Sequence, residues 1–456
     1  MNSINPIRFV KRGGRNAAFV LFAFCSVIVS RADTTNVISA GQTTNGIIAL
    51  GQTNFYSFAG TSNDTVTIFI VKTDGSGGYP LIDLHDPDGL RVIYAVGNID
   101  SQSSIIQAQK LTKTGTYTIL CRDDGGTETY PYNLTLAKIP GGSNLTDPGD
   151  AAGSILPGQT LTNAFASAAD IDTFTFTGTS NDAVTIFMVK TGGSGGYPLI
   201  DLHDPDGLRV VYAVGNIGSQ SSIIQAQKLT KTGTYTILCR DDGGTETYPY
   251  NLTLAKNPGP NAADVGDSGP TIQPGQTITN NIGAPSDIDA LSFYAIAGDS
   301  VTISVAKIGG SGNNPYLQIQ SPDGTVLANA TGTSATVHLD CLAQTGNYLA
   351  ICRDDGGNET FSYSLSLSQS PMELTSSGTN QYLTIYTCSD QYAYLRWNTN
   401  ATGFALERTT NLTLPVWLAV TNIPYTIADH FYVNVGFPTN QSAFYRLICT
   451  NGACGQ

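Results

Sequence analysis

Residues Gly60–Lys138 recur without a gap as Gly178–Lys256, and the two blocks differ at Thr65/Ala183, Ile70/Met188, Asp74/Gly192, Ile93/Val211 and Asp100/Gly218. A diverged third copy runs from about Gln273 to Ser370, four residues shorter between its "PDG" turn and "CRDDGG". Duplication this faithful means that one module is written three times, so any fold must suit a block of that length and any site must appear in triplicate. Within a copy, "TVTIFIVK", "YPLIDLHD", "RVIYAV", "TYTILC" and "YNLTLAK" are short β-branched and aromatic runs punctuated by Gly, Asp, Asn and Pro. No stretch carries helical period, so these are strands, and the number of strands per copy predicts an antiparallel sandwich of jelly-roll or Ig-like type. The expected fold class is all-β, tandem antiparallel β-sandwiches.

Boundaries follow from the joints. "KIPGGSNLTDPGD" and "KNPGPNAADVGDSGP" are rich in Pro and Gly and read as linkers, giving repeats at 33–142, 150–258 and 265–370 and a distinct domain at 372–456. Each repeat carries a full set of alternating strands and is expected to fold alone.

The N-terminus gives an address. Arg8, Lys11, Arg12 and Arg15 precede the apolar run Ala17–Ser30, and Ser30 and Ala32 satisfy the small-x-small rule, so 1–32 reads as a signal peptide cleaved after Ala32. Phe24 before Cys25 excludes a lipoprotein signal, and no later run is long enough to span a bilayer. The expected product is secreted or at the cell surface, with no membrane span after signal removal. A signal directly before the first repeat argues against loss of an upstream catalytic domain. Net charge is −13 and 12% of residues are charged, which excludes phosphate-backbone binding and hence nucleic acid.

Seven cysteines remain after cleavage, an odd number for an oxidising compartment. The first two repeats hold one each, so Cys121 and Cys239 are expected as buried thiols on core strands. One disulfide is expected among Cys388, Cys449 and Cys454.

"SAADIDTFTFTGTSNDAVTI", "PLIDLHDPDGLRV" and "LTKTGTYTILCRDDGGTETYPYNLTL" together resemble the bacterial pre-peptidase C-terminal domain, as do "SDIDALSFYAIAGDSVTISV", "IQSPDGTVL" and "TGNYLAICRDDGG" of the third copy. The resemblance covers about Ala40–Ser370. The first copy departs from it, with Gln52 and Asn54 where Asp170 and Asp172 stand. The resemblance implies a non-catalytic sandwich carried by secreted proteins, often attached to hydrolases. "AYLRWNTNATGFALERTTNLTLPVWLAV" and "AFYRLI" resemble a fibronectin-III-like domain, which would put Trp397 on a core strand and Tyr445 on the final one.

Candidate chemistry is sparse. "GGSGG" at Gly192–Gly196 spells a nucleophile elbow, but no helix follows, so it reads as a loop. His85 and His203 lie in "IDLHDPDG", flanked by carboxylates; the third copy puts Gln320 there, so a histidine exposed beside a type I turn is expected, with a ligand role as the alternative. Asp170/Asp172 and Asp287/Asp289 read first as Asx-turn acceptors ahead of a strand, with a contribution to a calcium shell as the alternative. "CRDDGG" joins two paired strands; it reads first as a turn, with calcium at Asp123, Asp124, Asp241, Asp242, Asp354 and Asp355 as the alternative. No catalytic or cofactor-binding residue is expected. The function expected is a non-catalytic, multivalent binding protein for an extracellular protein or polysaccharide. A structural spacer, or an accessory region associated with a secreted peptidase, is the alternative.

Overall fold

In a computed structural model the described residues are 35–97, 102–140, 153–215, 220–310, 314–370, 383–389, 392–399, 403–427, 430–436 and 442–450. The segment 1–32 that reads as a signal peptide, the first joint from 141 to 152, Cys25 and Cys454 lie outside them, as does the side chain of Cys388. Every element among the described residues is a strand, and none is a helix able to cross a membrane. The described residues from Thr35 onward form one compact unit.

The first repeat contains β1 (Thr35–Val37), β2 (Gln42–Ile48), β3 (Thr53–Gly60), β4 (Thr65–Lys72), β5 (Pro80–His85), β6 (Arg91–Val96), β7 (Ser103–Lys110), β8 (Gly115–Asp123) and β9 (Tyr130–Ile139). One sheet has the order β2-β9-β4-β7 and the other β1-β3-β8-β5-β6, with β1 pairing β3 in parallel and the other pairs antiparallel. The second and third repeats reproduce both sheets strand for strand, without a β1. That order is an eight-strand jelly roll. Between the sheets lies a core of alternating inward residues. In the second repeat it includes Phe174, Phe176, Ile186, Met188, Tyr235, Tyr250 and Cys239.

Cys121, Cys239 and Cys352 are free and buried in these cores, where burial pushes each thiol up from its ordinary range. Cys341 and Cys449 are disulfide-bonded. Cys352 is the other cysteine of the third repeat and is free, so the partner of Cys341 lies outside that repeat. A single bond confined to the last three cysteines does not account for this.

The C-terminal domain is a smaller sandwich of one four-stranded and one three-stranded sheet around Leu395, Trp397, Leu406, Val433 and Val435. Trp397 is on a core strand and Tyr445 on the last strand, Phe444–Cys449.

Two further apolar clusters cross the repeat boundaries. Phe69, Val71, Ala137 and Ile139 of the first repeat pack against Ala169, Ile171 and Leu238 of the second. Phe187, Val189 and Ala255 of the second pack against Ile288, Ala290, Leu349 and Ile351 of the third. The repeats are therefore stacked by a repeated interface. The second joint is also fixed: Asn261 bridges the backbone N–H and C=O of Lys256 at 2.8 and 3.0 Å, and Ala262 N–H donates to Pro157 O at 2.8 Å.

Candidate functional site: the CRDDGG loops and the faces they close

In each copy the first aspartate ends a core strand and turns its buried carboxylate back over its own loop. Asp123 accepts from the N–H groups of Tyr79 (2.9 Å), Thr127 (3.0 Å) and Glu128 (3.4 Å). Asp241 accepts from Tyr197 N–H at 2.8 Å, Glu246 N–H at 3.4 Å and Tyr248 O–H at 3.3 Å. Asp354 accepts from Asn358 and Glu359 N–H at 3.0 and 3.2 Å. The third loop is less well satisfied: Phe361 replaces the tyrosine, Asp354 Oδ1 is buried without a partner, and burial pushes that carboxyl up. The second aspartates, Asp124, Asp242 and Asp355, are exposed.

This geometry supports the turn. Gly126, Gly244 and Gly357 have φ of 66°, 73° and 79°, a left-handed conformation that glycine adopts without strain. Asp123 and Asp241 spend their carboxylate oxygens on N–H and O–H donors, Asp354 Oδ1 has no hydrogen-bond partner, and the outer aspartates are exposed.

The arginine of the motif shows a second role. Arg240 and Arg353 donate to the loop carbonyls of Asp241 and Asp242 (3.1 and 2.8 Å) and of Asp354 and Asp355 (2.7 and 2.9 Å). Each guanidinium also lies over a phenylalanine of the preceding repeat, Arg240 5.3 Å from the Phe69 ring centroid and Arg353 5.1 Å from that of Phe187. The loop glycine sits on the same ring: a Cβ on Gly244 would come within 2.2 Å of Phe69, and one on Gly357 within 2.1 Å of Phe187. The "PDG" turn does likewise. A Cβ on Gly207 would meet Thr65 at 2.4 Å, and one on Gly324 would meet Ala183 at 2.3 Å. Sequence reasoning finds both turns and misses that each seals the joint to the previous repeat.

Polar side chains complete the joints. Gln107 donates to Asp201 at 2.8 Å, Gln225 to Tyr316 O–H at 2.9 Å, and Asn133 and Asn251 donate to Ala168 O and Pro285 O at 2.9 and 2.8 Å. His203 is fully buried, not exposed as its place beside a turn predicts, because the first repeat covers it. Its Nδ1 is 3.1 Å from Gly207 O and its Nε2 has no partner, so burial pushes its pKa down. Its counterpart in the first repeat, His85, is half-buried.

The Asp-x-Asp pairs also hold structure together. Asp170 and Asp287 accept from Ala166 and Gly283 N–H at 2.8 and 2.7 Å, while Asp172 and Asp289 accept from the buried Tyr250 and Tyr363 hydroxyls at 2.6 Å. In the first repeat Asn54 donates to Tyr132 instead, at 2.9 Å. The third repeat gathers more acid than the motif alone suggests: Asp264 and Asp267 from the joint hydrogen-bond Asp287 and Asp289. Burial, then repulsion from Asp264 and Asp267, pushes Asp287 up to about 7. A raised folded-state pKa stabilises the fold fully below the unfolded aspartate value of about 4, and that stabilisation is lost as pH rises through about 7. Melting temperature is therefore expected to fall between those pH values. Asp287→Asn should flatten this slope, and an unchanged slope would show that Asp287 does not control it.

"GGSGG" is a loop: Gly193, Gly195 and Gly196 have positive φ, Ser194 is exposed, and the next element is the strand Pro198–His203.

No family profile and no curated protein matches the sequence. Solved structures with some likeness include trypsin-activated alpha-2-macroglobulin from Escherichia coli (11% identity, 88% of this chain and 31% of that one, TM-score 0.13). They also include arabinofuranosyltransferase AftD from Mycobacteria (9%, 89% and 40%, TM-score 0.16) and tripeptidyl peptidase 2 (9%, 89% and 41%, TM-score 0.17). The chain spans less than half of each, and TM-scores this low carry no argument.

Proposed function

We propose that the protein is an exported, non-catalytic, multivalent binding protein built of pre-peptidase C-terminal-like repeats and a fibronectin-III-like domain. The observation that carries this reading is a duplicated exposed surface. On β6 the Arg91 guanidinium lies 5.1 Å from the Tyr94 ring, and on the matching strand Arg209–Val214 the Arg209 guanidinium lies 4.5 Å from Tyr212. Both rings are about half exposed, at 55% and 53%, and Leu90 and Leu208 flank them at 65% and 50%. Exposed tyrosine beside arginine is the composition of binding hot spots, and it suits an extracellular protein or a polysaccharide. The stacked joints hold the two surfaces in fixed register, so a polymeric or clustered ligand can meet both. Those joints also suit a spacer, in which the repeats supply length.

The test is binding of the full chain to a panel of matrix proteins and polysaccharides. Tyr94→Ala or Tyr212→Ala alone should weaken capture modestly. The double substitution should remove the avidity gain, on the order of 10²-fold or more. Binding indifferent to the double change would move the ligand elsewhere. Hydrolytic turnover abolished by one polar substitution would refute the non-catalytic reading.

A further inference from the structure

The stack has two ends, and they are built differently. Downstream, the third repeat presents the sheet that carries Phe69 and Phe187 in its predecessors, but in the strand Ser300–Gly310 those positions hold Ser304, and Ala306 replaces Val71 and Val189. Their cross-strand neighbours change with them: Ile105 and Ile223 become Thr336, and Thr135 and Thr253 become Ser366. Ser304 and Thr336 hydrogen-bond at 2.9 Å, and Thr302 and His338 at 2.7 Å. This face is polar, as a terminal repeat requires.

Upstream, the first repeat keeps part of the receiving face, with Gly51 and Thr53 in the places of Ala169 and Ile171. Leu120 and Arg122 stand where Leu238 and Arg240 do, and Gly51 N–H donates to Gly126 O at 3.1 Å as Ala169 N–H does to Gly244 O at 2.8 Å. The same loops are therefore set in the same geometry. Yet among the described residues a Cβ on Gly126 or Gly89 would meet nothing within 4 Å, whereas their counterparts abut the preceding repeat. The Arg122 side chain is 36% exposed against 7% for Arg240, and Leu120 is half-buried where Leu238 is buried. Arg122 lies 3.5 Å from Asp83 and over no ring among the described residues.

We propose that the upstream face of the first repeat is a docking surface for a β-sandwich module of a partner protein, one whose outer strand presents a Phe-x-Val pair to Gly126 and Arg122. The occupant is inferred from the two internal joints, which use the same face twice for that chemistry. A second copy of this chain does not qualify, because the matching strand of its third repeat offers Ser304 and Ala306. The polar end thus keeps a head-to-tail contact, which does not close on itself, from growing into filaments. This inference does not rest on the ligand reading above, since Tyr212 remains exposed with the first repeat docked on the second.

The test gives the full chain the missing donor. Ser304→Phe/Ala306→Val should self-associate head to tail, seen as a sedimentation coefficient that rises with concentration. Adding Leu120→Lys should weaken that association by about tenfold or more. Ser304→Phe alone carries the same test where the double variant does not fold. A folded variant that stays monomeric would overturn the proposal, as would association indifferent to Leu120→Lys. Wild-type oligomers abolished by Leu120→Lys would overturn the exclusion of a second copy.

Discussion

Gly244→Val is expected to destabilise the stack by about 2–5 kcal/mol, the sum of about 1–2 kcal/mol for a β-branched residue at φ 73° and about 1–3 kcal/mol for overpacking against Phe69. The sequence supplies its own controls. Gly126→Val in the first repeat meets the same left-handed backbone (φ 66°) but no neighbour, so strain alone should cost about 1–2 kcal/mol. Gly243→Val has no positive φ, and its nearest atoms lie at 3.6 Å and beyond, so it should fall within about 0.5 kcal/mol of wild type. Asp241→Asn is less mild than turn chemistry alone suggests. Asp241 is buried, and both its oxygens accept, so an amide NH₂ on either side opposes a donor and costs about 1–3 kcal/mol. Denaturant unfolding of the four full-length variants gives the order. Equal costs at Gly126 and Gly244 would show that the loop glycine serves its turn and not the joint.

The repeat, the strands and the two-sheet sandwich were all legible in the sequence, because alternation and turn residues are local signals. The stacking was present there too, in a subtler form. "TVTIFIVK" and "AVTIFMVK" are apolar on both alternations, and both strands are buried along their whole length. "SVTISVAK" alternates, and the third copy's strand is buried on alternate residues. A continuous apolar run means a strand covered on both faces. The loss of Phe in the copy that ends the series is therefore the mark of a terminal repeat. What was not legible is which face meets which. His203 beside a turn gives no local sign that another repeat lies over it, and "DVGDSGP" reads as a linker until Asp267 is seen accepting from Asn281 N–H at 3.0 Å. Both facts depend on contacts between residues far apart in the chain.

Phe187→Ala is expected to uncouple the third repeat from the second while leaving each fold intact. Phe187 is 2% exposed, yet it faces away from its own core and packs with Ile288, Leu349 and Ile351 of the next repeat under Arg353. Truncating a buried phenylalanine costs about 3–5 kcal/mol, and here the loss falls on the joint. The third repeat demonstrates the point, because it builds a complete core with Ser304 at the matching position. Substituting Phe174, which lies inside the second repeat's own core, should by contrast unfold that repeat itself. The measurement is calorimetry of the full chain under reducing conditions, since Cys341 is disulfide-bonded outside its own repeat. Phe187→Ala should split off a third-repeat transition at lower temperature, with the second repeat's own core transition retained. Phe174→Ala should lower the second repeat's transition itself. If Phe187→Ala instead lowered one undivided transition, coupling across the boundary would not depend on this ring. The joint would then rest on the polar contacts of Gln225, Asn251 and Asn257, whose amide donates to Gln320 Oε1 and Ser321 O at 3.2 and 2.9 Å.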